Sequence, residues 1–413
     1  MITSRVSWRA HFFLPALLAC LATAAQAQVE TSEAALARDA ATWGAVAGLA
    51  PAEAAAQLLA QRATIAATDA LTIEFRDRLA GVAVEHRPAL RIIVLLTGNA
   101  PVADRRALAA GLEVPIEFRT GALATHAQLL AALTRHQAEI RAMLTRAPGL
   151  GIDARAGALA VLIAETDAAR FAADELEGRL AELTRVPVVV RRLDRTDVNT
   201  AAAGGSRVVG VDPADGRRHA CTSGFVVTDG ARSGLVTAAH CPDTLSYVEP
   251  DRSETPLPFV GQWGWSFQDV QLHTSDVALP PLFYADTAKT LERTPTAARP
   301  RAQTRVGDVV CHRGERTGYS CAEVAFADFA PAGDLCGGPC APSWVAVEGP
   351  TCNAGDSGGP VFEGAVALGL VKGASFRSDK SCSLYYYMST DFLPQGWRVA
   401  VAGDAPSQTS SSP

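Results

Sequence analysis

"NAGDSGGP", residues 353–360, sets three glycines, an aspartate and a proline around Ser357. Such a cluster favours neither helix nor strand. Glycine loses the most conformational freedom on folding, so its concentration marks a backbone that takes positive φ or approaches another group closely. A bare turn fits that description, and so does a turn built to present one hydroxyl. A serine hydroxyl is a weak nucleophile alone, so the second reading requires a base brought to it from elsewhere in the chain. "LVTAAHCP", 235–242, offers one: His240 follows a small apolar run and precedes Cys241. A bond from Cys241 to Cys221 in "HACTSGF" (219–225) could fix the histidine's loop, which suits a base that must stay within hydrogen-bond reach of a hydroxyl.

The region carrying both motifs, from about 205 onward, is rich in glycine, threonine, valine, proline and cysteine. Short alternating runs such as "SGFVVT" (223–228), "GLVTAA" (234–239) and "AVALGLV" (365–371) are separated by turn signals and read as an all-β barrel or sandwich. Residues 28–200 differ, with no cysteine and much alanine, leucine, arginine and glutamate. Helical spacing over 126–144 and 167–183 alternates there with β-like runs at 90–96, 158–165 and 186–190, a small α/β (α+β) region. "TDVNTAAAGGSR", 196–207, breaks the pattern and reads as a boundary that a protease could cut; a cut after Arg207 is a minor alternative. The tail ending in "SQTSSSP" is expected to be disordered.

At the N-terminus, Arg5 and Arg9 precede an apolar run that closes on Ala25-Gln26-Ala27, the order of a secretory signal cleaved after Ala27. "LLAC", ending at Cys20, is the competing lipoprotein reading. Of nine cysteines, the eight beyond Cys20 lie between 221 and 382, and an even number in an exported region reads as disulfides. Cys336 and Cys340 alone have metal-like spacing, with no histidine near them in sequence, so no metal and no cofactor are expected. A net charge of -6 without a basic run argues against nucleic acid, and no later segment has the apolar length of a membrane span. A monomer is expected.

"TAAHC" followed by "GDSGGP" in a cysteine-bearing β-rich region resembles the trypsin-like (chymotrypsin-fold) serine peptidases, specifically the bacterial branch of streptogrisins and alpha-lytic protease. "CTSGFVV" at 221 and "VVCHRGERTGYSCAEV" at 309 are similar to the same branch. The resemblance covers 205–400. It extends loosely to "GLGIDARAGALAVLIAE" and "VPVVVRRL", which look like the branch's pro-segments. It implies two six-stranded antiparallel β-barrels preceded by a smaller α/β pro-segment, with domains at 1–27 (signal), 28–204 (pro-segment), 205–400 (peptidase) and 401–413 (tail). Ser357 would attack the scissile carbonyl, His240 would carry the proton, and the amides of Gly355 and Ser357 would bind the oxyanion. Asp356 would hold the serine loop in shape.

Two aspartates compete as triad acid. Asp269 opens "DVQLHTS" and Asp276 opens "DVALPP". The acid must sit at the start of a well-paired strand, and Pro280 and Pro281 would end one soon after Asp276, so Asp269 is preferred. Substrate backbone would pair with Lys372, Gly373 and Ala374, where the family usually has Ser-x-Gly. Lys372 puts in doubt a familiar hydrogen bond to the acid, and its charge must be solvated or paired. The resemblance implies bonds Cys221–Cys241, Cys311–Cys321 and Cys352–Cys382, leaving Cys336 and Cys340 to each other. The expected activity is that of an exported serine endopeptidase acting on protein or peptide, with its own pro-segment as folding and inhibitory partner. The rival is an inactive binding module of the same fold. A serine esterase of another fold would place its histidine after the serine.

Overall fold

The computed structural model describes residues 28–171, 173–193, 198–199, 205–249, 252–275, 278–333 and 335–404. The signal with Cys20, most of the 196–207 boundary, Asp276 and residues 405–413 lie outside the described residues. Residues Ala402–Asp404 form a short 3-10 turn.

The N-terminal region opens with three helices that the periodicity reading did not single out: Ser32–Ala47, Pro51–Ala63 and Ile65–Glu74. Local chemistry sets their ends. Thr31 accepts the Ala34 amide at the first N-cap, Gly48 ends that helix at φ 73°, and Pro51 fills the first position of the second. The helix at 126–144 forms over His126–Met143, started by a reciprocal Thr125–Gln128 capping box. The stretch at 167–183 becomes one turn, Glu165–Ala168, and a helix, Ala173–Thr184. A four-stranded sheet runs Leu79–Glu85, Arg91–Thr97, Leu112–Ala122, Arg105–Ala109 in spatial order.

Six strands further on close a barrel: Val309–Gly314, Pro360–Glu363, Val366–Phe376, Cys382–Ser389, Trp344–Glu348 and Gly318–Ala330, the last pairing back to the first. Where two such barrels were expected, the ladders among the described residues close this one. The other half is a four-stranded sheet (Arg218–Thr222, Arg207–Val211, Leu245–Val248, Glu254–Leu257) and a five-stranded sheet (Phe259–Trp263, Val270–Thr274, Ser233–Thr237, Val226–Thr228, Arg398–Val399). At the end of its ladder, opposite Arg207, the Thr222 amide donates to the Ser357 carbonyl at 2.9 Å and so ties the four-stranded sheet to the turn before Pro360–Glu363.

The two regions are joined by backbone and core. Strands Gly149–Asp153, Ala158–Ala164 and Val188–Leu193 extend the barrel sheet, with Gly151 opposite Phe329 and Leu150 opposite Ala330. Ala160 and Leu162 pack with Phe326, Phe329 and Tyr386. Trp43 and Leu58 of the first two helices belong to the same buried cluster as Phe225, Phe283 and Phe362. Arg293, fully buried, binds Glu30 and Asp39 at 2.8 Å each, and Asp39 also accepts the Gly364 amide at 2.7 Å.

Candidate active site

Three segments converge where the closed barrel meets the five-stranded sheet. His240 follows strand Ser233–Thr237, Asp269 directly precedes strand Val270–Thr274, and Ser357 sits in the turn before Pro360–Glu363. Residues 117 positions apart are thereby brought into contact: Ser357 Oγ lies 2.9 Å from His240 Nε2. His240 Nδ1 lies 2.8 Å from Asp269 Oδ2, and the His240 amide donates to Asp269 Oδ1 at 3.1 Å. A carboxylate can only accept, so Nδ1 carries the hydrogen and Nε2 is left to receive the serine proton. Asp269 is 2% exposed. Burial alone would raise its pKa, but His240 and Lys372 outweigh that and hold the carboxyl well below the usual range.

Four cysteine bonds form, Cys221–Cys241, Cys311–Cys321, Cys336–Cys340 and Cys352–Cys382, and the first fixes the residue next to His240. A group that the sequence reading missed does related work. Gln271, buried, donates to the carbonyls of Ala238 and Cys241 at 2.8 and 3.0 Å and so pins the His240 loop from the strand that begins after Asp269. Its signal was a polar side chain amid apolar strand residues.

Two positive-φ glycines shape the serine turn, Gly355 at φ 125° and Gly358 at φ 84°. A Cβ on Gly358 would fall 2.2 Å from the Thr222 carbonyl oxygen, so no side chain fits there. Asp356, 1% exposed, accepts the amides of Asn353, Arg316 and Thr317 at 2.8, 3.1 and 3.0 Å and the Thr317 hydroxyl at 2.7 Å. It thus ties the serine turn to the 316–317 turn and makes no contact of the triad-acid kind.

Lys372 turns inward. Its Nζ is 3.1 Å from Asp269 Oδ2 and 5.0 Å from the centre of the Trp344 ring, while its carbonyl oxygen lies 3.2 Å from Ser357 Oγ, as an alternative acceptor to His240 Nε2 for the one hydroxyl hydrogen. Gly373 and Ala374 pair antiparallel with Asn199 and Val198, a short strand contributed from the N-terminal side of the boundary. Ser357 is 0% exposed in this form of the chain. Asp276 lies outside the described residues.

A barrel joined to two sheets, with a serine, a histidine and an aspartate in hydrogen-bonded series between them, is the architecture on the page. The solved structures that resemble the chain are bacterial chymotrypsin-fold serine proteases. A glutamic acid-specific serine protease is 22% identical, with 46% of this chain and 93% of that one covered and a TM-score of 0.36. Thermobifida fusca Protease A gives 19%, 48%, 97% and 0.38, and Cellulomonas bogoriensis chymotrypsin 20%, 48%, 98% and 0.37, in the same order. No family model matches the chain, and no curated protein matches it.

Proposed function

We propose that the protein is an exported serine endopeptidase, made as a proenzyme, with the two sheets of residues 207–274 and 398–399 serving as a second, open barrel across the cleft from the closed one. The observation that carries this reading is the unbroken series Ser357 Oγ, His240 Nε2, His240 Nδ1, Asp269 Oδ2, with links of 2.9 and 2.8 Å. Ser357 Oγ attacks the peptide carbonyl as its proton passes to His240 Nε2. The amides of Gly355 and Ser357 take the developing oxyanion, a type of contact that typically supplies about 3 kcal/mol per donor. The tetrahedral species collapses to an ester of Ser357 as the imidazolium protonates the leaving amine. Water then hydrolyses the ester with His240 again as base. No metal or cofactor takes part in this scheme.

Residues 28–204 act in this reading as a pro-segment. Support comes from the strand Val198–Asn199 on Gly373–Ala374, which occupies the edge where substrate backbone would lie, and from the buried Ser357 hydroxyl. Processing within 200–207 frees that edge. The test uses a serine-directed phosphonate on the processed chain. Labelling at Ser357 that disappears in His240→Ala is expected, and absence of labelling in the processed wild type favours the inactive binding module.

A further inference from the structure

The proposed series accounts for Ser357, His240 and Asp269 and leaves a buried cation unused. Lys372 is 1% exposed, its Nζ within 3.1 Å of the same Asp269 oxygen that receives His240 Nδ1. An ammonium buried at this depth is costly unless paired, and here the carboxylate and the Trp344 ring face are its partners. We propose that Lys372 is a positioning residue of the site, holding Asp269 Oδ2 in place and sharing the carboxylate charge with the His240 imidazolium. The inference rests on the peptidase reading and concerns the regulation of that same site.

The charge count makes the idea specific. With His240 neutral, Asp269 and Lys372 form a neutral pair. Protonating His240 then sets two cations around one carboxylate, which is less favourable than one cation on one carboxylate. Strand Trp344–Glu348 presents Trp344 and strand Cys382–Ser389 presents Met388, whose sulfur takes the Asp269 amide at 3.2 Å. Asp356, beside Ser357, has its carboxylate turned to residues 316, 317 and 353. The Asp269 carboxylate is therefore shared between the imidazole and the ammonium.

The experiment measures the rate of phosphonate labelling of Ser357 against pH in the processed protein. Lys372→Met is expected to move the acid limb of that profile upward by about one pH unit, a roughly tenfold slower reaction at a fixed pH on the limb. Lys372→Arg restores the wild-type limb. Lys372→Gln keeps a neutral donor, separates charge from hydrogen bonding, and serves if the Met variant does not fold. A second readout is thermal unfolding. Asp269→Asn strands the Lys372 cation and lowers the midpoint sharply in the wild-type background, and much less in the Lys372→Met background. Coincident acid limbs for wild type and both neutral variants, or equal effects of Asp269→Asn in the two backgrounds, overturn the inference. Absence of labelling in wild type at every pH instead overturns the peptidase reading, so the two failures are distinct.

Discussion

At the scale of single residues, the proposed peptidase reading makes Ser357 and His240 a unit, so losing either should cost about as much as losing both. Ser357→Ala or His240→Ala is expected to lower kcat by roughly 10⁴- to 10⁶-fold in a peptide-cleavage assay, with KM little changed. Gly358 carries a different demand. Its positive φ and the 2.2 Å approach of the Thr222 carbonyl leave no room for a methyl group, so Gly358→Ala must shift the serine turn. A loss of roughly 1–3 kcal/mol in denaturant unfolding, together with lost labelling of Ser357, is the expected result. The glycines around Ser357 were legible as a conformational demand because no other residue type meets it cheaply. The partner of Lys372 was not legible. The sequence left its charge either solvated or paired, and the fold shows that its ammonium reaches a carboxylate 103 positions earlier in the chain.

Elements bring in the contacts between the N-terminal region and the rest. His86 follows strand Leu79–Glu85, is 2% exposed, and places Nε2 at 2.9 Å from the Gly307 carbonyl while Nδ1 faces the terminal amide of Gln57. Burial brings its pKa down from 6.5 to about 4. The unfolded chain therefore binds more protons than the folded one between those values, and stability falls as pH drops through that window. Acidification from 7 to 4 should loosen the 28–193 region first, seen as faster amide exchange there, and His86→Gln should blunt the effect. Asp39 is a stronger tie. Removing it in Asp39→Ala leaves buried Arg293 with Glu30 as its remaining carboxylate beside the carbonyls of Ala35 and Gly364, and should cost roughly 3–5 kcal/mol in unfolding. Helical spacing revealed His126–Met143 because an amphipathic stripe has a fixed period. The three alanine-rich helices at 32–74 went unremarked because alanine marks both faces alike, and their burial depends on aromatic neighbours far along the chain.

For the molecule as a whole, the ladder closes one barrel and leaves the other half as two sheets, a distinction that alternation cannot carry. Period-two patterning says which side of a strand is covered, whereas closure depends on which distant edges meet. Non-local pairing of this kind also slows folding, so a chain made from residue 205 onward should refold poorly alone and recover activity when 28–204 is added in trans. Full unassisted recovery of activity would refute that expectation. The shared cluster that runs from Trp43 and Leu58 into Phe225 and Phe362 has a further consequence. If the segment 28–204 were shed as proposed, whatever greasy surface those helices covered would meet water. On the proposed processing, the remaining chain would carry a sticky flank, and crowding at high concentration would bring such flanks together.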